Sequence, residues 1–370
     1  MSEKEKNSYK KLNIHDKRRF RITFFAYAAV TVCLLLYFTA SLLVEKKHAR
    51  DNWASYLYDP LEQMELVEKL SVDATEVSVG TYIENLRELN LKGSYYRIEL
   101  MVWFNWEGDA DLDPANHFRV YKGLVNKMVL VEEEHIGNQH YQLVGLDVSV
   151  SKNFDTKRFP LESHQLRFYI ESTDPVQEVV YVPDYENSGI NENITLTGFR
   201  FMRHDIGAVS YTYDSTHGDP SVTENEVTSE IVTAFEINRS DFGLYFKCFI
   251  ALAGTVTWVL IALFICSYHH VDPLSMIPAA LFGTVGNIMI GAALVPDALQ
   301  MGLLEYVNLW GVLSILGGAI AIININRVRK ASKEQENQAF AYYYGRMLFY
   351  TMLVAALSGQ VILPIAAYIW

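Results

Sequence analysis

The apolar residues of this chain form one long run near its start and four runs towards its end. A long, mostly polar region separates the first run from the others. Each run is close to the roughly 20 residues that a helix needs to cross about 30 Å of hydrocarbon at about 1.5 Å per residue. The pattern therefore predicts five membrane-spanning helices, with a polar domain between the first and the second. The five runs are Arg21–Val44, Phe249–Cys266, Leu274–Val295, Leu309–Ile325 and Met347–Trp370.

The polar region has the pattern of a β-domain. Its apolar-rich stretches carry many β-branched and aromatic residues with partial alternation, and turn-forming residues separate them. Short strands at this spacing predict an antiparallel β-sandwich. Before it, Leu61, Met64, Val67 and Leu70 recur at helical spacing and predict a helical linker. The predicted strands are Val77–Leu86, Tyr95–Trp106, His140–Val150, Gln165–Glu171 and Glu178–Val182.

Basic residues flank the apolar runs unevenly and predict the orientation of the chain. The first 21 residues contain eight lysines and arginines, and the link after the third terminal run contains Arg327, Arg329, Lys330 and Lys333. Because such clusters stay on the cytoplasmic side, both segments are expected inside, with residues 45–241 and the C-terminus outside. The first run exceeds the usual signal-peptide core of roughly 7–15 residues and lacks a small-x-small cleavage site near Ala40, which favours an uncleaved anchor. A long, cleaved signal peptide is the alternative and would leave four spans.

Together these patterns predict a membrane protein of mixed β and α structure. An extracytoplasmic antiparallel β-sandwich is followed by a four-helix transmembrane bundle, and an additional transmembrane helix precedes them. The expected segments are a basic cytoplasmic tail at 1–21, an anchor at 22–44, a helical linker at 45–76, the sandwich at 77–241 and the bundle at 242–370. The expected location is the cell membrane, inner or plasma, with several passes.

Composition and charge argue against several classes of function. The chain has 370 residues, of which 50% are hydrophobic and 20% charged, and its net charge of −12 argues against binding to nucleic acid. Its cysteines, Cys33, Cys248 and Cys266, lie in or beside the apolar runs, so the polar domain has no disulfide framework. The sequence shows no nucleophile–base pairing, glycine-rich phosphate loop or metalloprotease helix, so neither catalysis nor a cofactor is expected.

Two clusters that contain histidine leave alternatives open. His269-His270 could bind a metal, but adjacent histidines on a helix point in different directions, so a solvated pair is favoured. The stretch Glu132-Glu133-Glu134-His135 could sense protons or bind Ca²⁺, and a charged, exposed loop is the other interpretation.

Four motifs follow one another along the polar region. The longest runs from Phe154 to Glu171 and has the core Arg158-Phe159-Pro160-Leu161-Glu162. The others are Val79-Gly80-Thr81-Tyr82-Ile83 with Trp103-Phe104-Asn105-Trp106, then Leu196-Thr197-Gly198-Phe199, and finally Glu236-Ile237-Asn238-Arg239 before the four spans. Taken in their order along the chain, these motifs resemble those of the pentameric ligand-gated ion channels (the Cys-loop receptor superfamily), in the prokaryotic form without the loop cysteines. The longest motif resembles the family's signature loop with its aromatic–Pro–Phe–Asp sequence, and the similarity covers roughly Val77 to Trp370.

The resemblance implies a homopentameric channel in membrane lipid that conducts monovalent cations and is gated by a small extracellular ligand or by protons. It also implies that the signature loop transmits motion to the helices. A proline stiffens such a loop because its φ is fixed and it has no N–H to pair. Asp155 and Glu162 are candidate partners for Arg239, and lipid phosphate is the alternative. The residues implied in coupling are Arg158, Phe159, Pro160, Glu162, Arg239 and, between the second and third terminal spans, Pro296.

The resemblance further implies that the second terminal span lines the pore. Leu281 then lies at the family's ring of mid-pore leucines, where apolar side chains close a pore by dewetting. His270 and Asp272 would ring the cytoplasmic mouth, where five carboxylates favour cations. Pro278 is expected to bend the span. With Asn287 used to set the register, the pore face contains Leu274, Pro278, Leu281, Val285 and Ile288, and the alternative face contains Ser275, Ala279, Phe282 and Gly286.

Some features depart from the family and support a second hypothesis. The favoured pore face lacks hydroxyl side chains, and no Trp-x-Pro-Asp loop occurs between Trp106 and Phe154. The first channel helix lacks its central proline, and an N-terminal span is not part of the family's common plan. The alternative is a non-conducting membrane sensor or scaffold that relays a signal from its β-sandwich ectodomain.

Overall fold

Helices and strands account for most of the computed structural model. It describes residues 14–51, 53–194, 196, 198–216, 218, 225–240, 242–294, 301–334 and 338–369. The helices are α1 (Ile14–Asp51), α2 (Leu61–Leu70), α3 (Gly243–His269), α4 (Ile277–Leu294), α5 (Leu303–Glu334) and α6 (Gln338–Ile369). The strands are β1 (Thr75–Asn90), β2 (Tyr95–Glu107), β3 (Phe118–Tyr121), β4 (Gly123–Ile136), β5 (Gln139–Ser151), β6 (Ser163–Pro175), β7 (Val179–Pro183), β8 (Gly189–Ile190), β9 (Phe199–Tyr213) and β10 (Glu226–Arg239).

The chain divides into two compact units whose boundary is not simply sequential. The helical unit consists of Met1–Lys46, Thr156–Glu162 and Phe242–Trp370, and the β unit consists of Lys47–Asp155 and Ser163–Asp241. The short segment Thr156–Glu162 comes between two strands in the sequence, yet it belongs to the helical unit.

Two sheets form the β unit around one hydrophobic core. The first has the order β4-β5-β2-β1-β7, with β8 also paired to β1, and the second has the order β3-β6-β10-β9. Side chains alternate between buried and half-exposed along β2, β5 and β6, as expected for strands with one face on a core. Ile98 and Val148 from the first sheet share the core with Phe168 and Ile231 from the second.

The first sheet is mixed, which corrects the prediction of a purely antiparallel sandwich. Strand β7 pairs with β1 in parallel from Thr75↔Val179 to Val79↔Pro183, and β8 also pairs with β1 in parallel. The reason is that β7 does not form a hairpin with its predecessor β6, which belongs to the other sheet. A strand that changes sheet is free of the hairpin geometry that would make it antiparallel to its new neighbour.

The sequence pattern predicted five strands, which correspond to β1, β2, β5, β6 and β7, but missed β3, β4, β8, β9 and β10. Strand β10 is buried along most of its length, because Trp53 and Leu57 cover Val232 and Ala234. Strand β4 has the opposite pattern and is exposed along almost all of its length. Neither strand shows the two-residue period on which a strand prediction depends. The Glu132–His135 stretch lies in β4, so its interpretation as a charged loop was wrong.

Four helical segments in the described part of the chain are long and apolar enough to cross a membrane. They are Ile14–Val44, Gly243–His269, Leu303–Ser332 and Phe340–Tyr368, and the segment Leu274–Met289 is apolar but shorter. These spans indicate a membrane protein. The first of them belongs to α1, which continues to Asp51, past the predicted end of the anchor at residue 44. Hydropathy does not detect this extension, because Glu45, Lys46 and Lys47 are polar but favour helix.

Helix α1 contacts α5 in the C-terminal half of α1. Phe38 and Leu42 are buried, and the Phe38 ring stacks on Tyr306 with 4.5 Å between the ring centroids. The Ser41 hydroxyl forms a 2.8 Å hydrogen bond with the Tyr306 hydroxyl. Most of the rest of α1 is exposed, as expected for a helix that faces lipid.

Pro278 lies at the second position of α4, so the prediction that it bends the span was wrong. The first N–H groups of a helix have no intrahelical partner, and a proline there removes no hydrogen bond. Its fixed φ suits the start of a helix. A short 3₁₀ turn, Leu274–Met276, precedes α4 directly.

Candidate functional site

The loop that resembles the family's signature loop lies between β5 and β6, and Thr156–Glu162 within it are folded into two successive turns. The Phe159 N–H donates to the Thr156 carbonyl at 2.9 Å, and the Leu161 N–H donates to the Arg158 carbonyl at 2.7 Å. The Phe159–Pro160 peptide is cis. Residues 158–162 are all buried, and Glu162 is only 1% exposed. The loop tip is therefore a compact, enclosed element rather than a solvated connection.

One backbone contact joins this loop to the start of α5. The Leu303 N–H donates to the Lys157 carbonyl oxygen at 2.6 Å. At the preceding residue, Gly302, a Cβ atom would lie 2.3 Å from that same oxygen. No side chain fits at this distance without moving a backbone. Sequence reasoning missed Gly302 and Lys157, because nothing in the pattern of either segment indicates that they meet.

Arg239 lies at the end of β10, and its guanidinium lies above the ring of Phe199, with Cζ 3.9 Å from the ring centroid. This distance is typical of a cation–π interaction. Phe199 was part of a motif but was not predicted as a partner. The proposed pairing of Arg239 with Asp155 or Glu162 stays a prediction. Pro296, the other predicted coupling residue, lies outside the described residues.

Helix α4 has one buried face and one exposed face. Asn287 and Asn308 are buried, and the Asn287 Nδ2 donates to the Asn308 Oδ1 at 2.6 Å. The Thr284 hydroxyl is also turned inward and donates to the Leu281 carbonyl at 2.7 Å. The buried face consists of Ile277, Ala280, Thr284 and Asn287. Leu274 and Ser275 are exposed in the 3₁₀ turn just before α4, and the rest of both predicted sets lies on the exposed face of α4: Pro278, Leu281, Val285 and Ile288 from the first set, and Ala279, Phe282 and Gly286 from the second.

The two residues predicted at the cytoplasmic mouth lie between α3 and α4. His270 ends α3 with a left-handed φ of 60°, and Asp272 follows in a segment without regular secondary structure. The Asp272 Oδ1 accepts a hydrogen bond from the Leu274 N–H at 3.1 Å, at the start of the 3₁₀ turn before α4. Both residues are exposed. In residues 14–369, as far as they are described, no three His, Cys, Asp or Glu side chains gather closely enough to hold a metal ion.

A buried carboxylate cluster in the β unit was not found from the sequence. Glu171 on β6 is fully buried, and the guanidinium of Arg119 on β3 binds it through two 2.8 Å hydrogen bonds. The Thr228 hydroxyl donates to Glu171 Oε1 at 3.0 Å, and the Tyr213 hydroxyl also donates to that oxygen. Both carboxyl oxygens of Glu171 therefore accept hydrogen bonds, and Arg119 binds them as a bidentate partner.

Glu230 belongs to the same cluster, but one of its carboxyl oxygens lacks a hydrogen-bond donor among the described residues. It faces Glu171 across the β6–β10 pairing and is 4% exposed, and its Oε1 has no hydrogen-bond partner among the described residues. Burial raises the pKa of Glu230 to about 8, with further increases from Glu171 and Asp59 and a smaller decrease from Arg119. The cluster can therefore take up a proton near neutral pH.

A scan against protein-family models finds no match for this chain, and a search of curated proteins finds no similar sequence.

The raised pKa of Glu230 predicts that the β unit loses stability as pH rises. Its folded pKa of about 8 exceeds the ordinary value of 4.5, so the folded chain binds more protons than the unfolded chain between these two values. The free energy of unfolding then falls from about pH 5 upwards, by roughly 4 kcal/mol at pH 8, since one pKa unit corresponds to about 1.4 kcal/mol. We expect Glu230→Gln to remove this dependence and to raise the midpoint of unfolding at pH 8. Tryptophan fluorescence during thermal unfolding of the detergent-solubilised protein measures it.

The matched control is Glu226→Gln, which removes a carboxyl from the start of the same strand. It should leave the slope of the midpoint against pH as in the parent protein. If Glu230→Gln keeps that slope as well, Glu230 does not carry the proton.

Proposed function

We propose that this chain is one subunit of a homopentameric, cation-selective channel of the pentameric ligand-gated type, opened by a small extracellular ligand or by protons. The observation that carries the proposal is the position of the signature loop. Residues Thr156–Glu162 interrupt the β unit in sequence, group with the helices, and bind the start of α5 through Lys157. A β-domain that places one of its loops among membrane helices can transmit a change in its own conformation to them.

The rigidity of this contact supports its role in transmission. Because Gly302 leaves no room for a Cβ atom beside the Lys157 carbonyl, the loop and α5 approach to backbone distance. The two turns at Thr156 and Arg158 brace the loop, and Pro160 has no N–H and a fixed φ. A displaced loop then moves α5 instead of deforming. Arg239, at the end of the strand that leads to α3, is proposed to act in the same relay.

The two faces of α4 support its role as the pore helix. Its buried face holds the polar pair with Asn308, so its apolar face is the one left for other chains and for a pore. Five copies would bring five Leu281 side chains together, which closes a pore by dewetting. His270 and Asp272 would then surround the cytoplasmic mouth, and the five carboxylates attract cations.

The orientation in the membrane follows from the distribution of positive charge. The basic residues before α1 and those at Arg327–Lys333 belong on the cytoplasmic side. The β unit is then extracytoplasmic, where it can meet a ligand or a change of pH.

A second candidate function is a non-conducting sensor or scaffold. The observation that favours it is the exposed face of α4 around Leu281, which is apolar at Phe282, Val285 and Ile288. The Thr284 hydroxyl, which could have wetted this level of a pore, is buried and bonded to the helix backbone. Currents measured across a lipid bilayer separate the two functions.

The pore assignment predicts that a polar group at position 281 admits water. Leu281→Ser should produce a standing current in a lipid bilayer, because it lowers the dewetting barrier. Asp272→Asn added to it should shift the reversal potential in a salt gradient towards a less cation-selective value, and the current should persist. Ala280→Ser, on the buried face, is the control and should stay silent. If Leu281→Ser and serines at Pro278, Phe282 and Val285 are all silent, the chain is the sensor and not a channel.

The coupling assignment predicts that Gly302→Ala separates sensing from opening. The added Cβ must push the Lys157 backbone away, so a current evoked by stepping the external pH from 8 to 5 should be lost although pentamers still reach the membrane. Gly254→Ala is the control, because the site for its Cβ is open. Arg239→Ala should act like Gly302→Ala. This route of transmission would be excluded if both variants gave pH-evoked currents equal to those of the parent protein.

The orientation predicts which single cysteines react from outside the cell. In a Cys33→Ser background, a cysteine at Asn138, on an exposed turn, should react with a membrane-impermeant maleimide in intact cells. A cysteine at Lys330 should react only after the membrane is opened. Labelling with the opposite sidedness would contradict the assignment of the β unit as extracytoplasmic.

A further inference from the structure

The tip of the β4–β5 hairpin brings two histidines into direct contact. His135 on β4 lies opposite His140 on β5, and the turn between the strands contains Gly137 with a left-handed φ of 67°. The two Nδ1 atoms are 2.6 Å apart. This distance is shorter than an ordinary N–H···O hydrogen bond. Whether the two nitrogens share a hydrogen or present two lone pairs to each other depends on which nitrogen of each ring carries the hydrogen.

The surroundings of His140 place its ring hydrogen on Nε2, away from His135. The residue is 3% exposed, and its ring packs on Trp106 with 5.3 Å between the ring centroids. Its Nε2 lies 3.3 Å from the Gly108 carbonyl, which can only accept a hydrogen bond. Nε2 therefore carries the hydrogen, and Nδ1 presents a lone pair. The Gly108 N–H in turn donates to the Asn138 carbonyl at 3.0 Å, which ties the hairpin tip to the end of β2.

The surroundings of His135 favour the same arrangement. Its Nε2 lies 3.6 Å from Glu133 Oε1, so a hydrogen carried on Nε2 faces a carboxylate. Gln142 holds Glu133 in place by donating to its Oε1 at 2.9 Å. Gln142 is itself fixed, since its Oε1 accepts the Ala115 N–H at 2.9 Å. With Nε2 protonated, the Nδ1 of His135 also presents a lone pair.

Two lone pairs that face each other at this distance repel unless a cation lies between them. We propose that His135 and His140 bind a divalent transition-metal ion of the class that prefers imidazole, such as Zn²⁺, Ni²⁺ or Cu²⁺. The Gly108 carbonyl and the Glu133 carboxylate are the kind of outer partners that orient metal-bound imidazoles. Calcium and magnesium do not suit the site, because they take oxygen ligands and the converging atoms are nitrogens.

Binding requires a small opening of the pair. In a tetrahedral zinc site with Zn–N distances of about 2.0–2.1 Å, two nitrogens lie more than about 3 Å apart. His140 is enclosed, but the side chain of His135 is 44% exposed and can rotate outward. The exposed side of His135 also leaves room for water to complete the coordination. The competing occupant is a single proton shared by the two nitrogens, and the experiment distinguishes the two.

The test is a titration of the full-length protein with Zn²⁺ alone, by calorimetry in detergent at pH 7.5. We expect saturable binding of one ion per chain, weakened at least about tenfold by His135→Asn, which removes a ligand from an exposed position and leaves the buried His140 in place. Glu133→Gln should weaken it by about 10–100-fold, the usual effect of losing an outer partner. The control is His117→Asn, which removes an exposed histidine elsewhere in the β unit and should leave the affinity unchanged.

Two results would overturn the proposal. One is an unchanged zinc affinity in His135→Asn, which would place the binding elsewhere. The other is the absence of saturable zinc binding by the parent protein, which would leave a shared proton as the cation between the rings.

Discussion

The hydrogen bond from the Leu303 N–H to the Lys157 carbonyl is the contact on which the proposed mechanism depends. Its own contribution to stability is small, about 0.5–1.5 kcal/mol for a typical backbone hydrogen bond. Its importance is geometric, because Gly302 lets the backbone of the loop approach where no side chain fits. The loop is joined by short stretches of chain to β5 on one side and β6 on the other. In the proposed mechanism, a shift of those strands reaches α5 through this loop.

Two carboxyl groups of the β unit, those of Glu171 and Glu230, are buried away from water. Glu171 is stable there because Arg119, Thr228 and Tyr213 supply donors to its carboxylate. The Oε1 of Glu230 has no hydrogen-bond partner in the described part of the chain, and burial together with the neighbouring charge of Glu171 raises the pKa of Glu230 to about 8. Above that value, two carboxylates would face each other across the β6–β10 pairing. A sheet with such a pair has a different free energy on the two sides of its pKa, which is what a sensor of protons requires.

How well the sequence predicted the fold depended on how many faces of each element are buried. Strands β2 and β5 bury one face, show clear alternation and were predicted nearly to the residue. Strand β10 is buried along most of its length and β4 is exposed along almost all of its length, so the two-residue period is absent from both and both were missed. The apolar runs predicted the long spans because hydropathy depends on composition and not on register.

The sites were less predictable, because they depend on pairs of residues that are distant in sequence. Gly302 and Lys157 meet only through the tertiary fold, and the pairing of Glu230 with Glu171 requires a strand that the pattern did not reveal. The histidine pair had a local signal that sequence reasoning did not use. Gly137-Asn138 is a hairpin turn sequence, and His135 and His140 stand at equal distances on either side of it.

The proposed channel requires that five copies of this chain surround one pore. Native mass spectrometry of the full-length protein, released from detergent under conditions that keep oligomers intact, measures the number of subunits directly. A homopentamer should give one dominant species of five chains, and images of the same sample should show a ring with five-fold symmetry. A monomer, a dimer or a ring of any other number would contradict it.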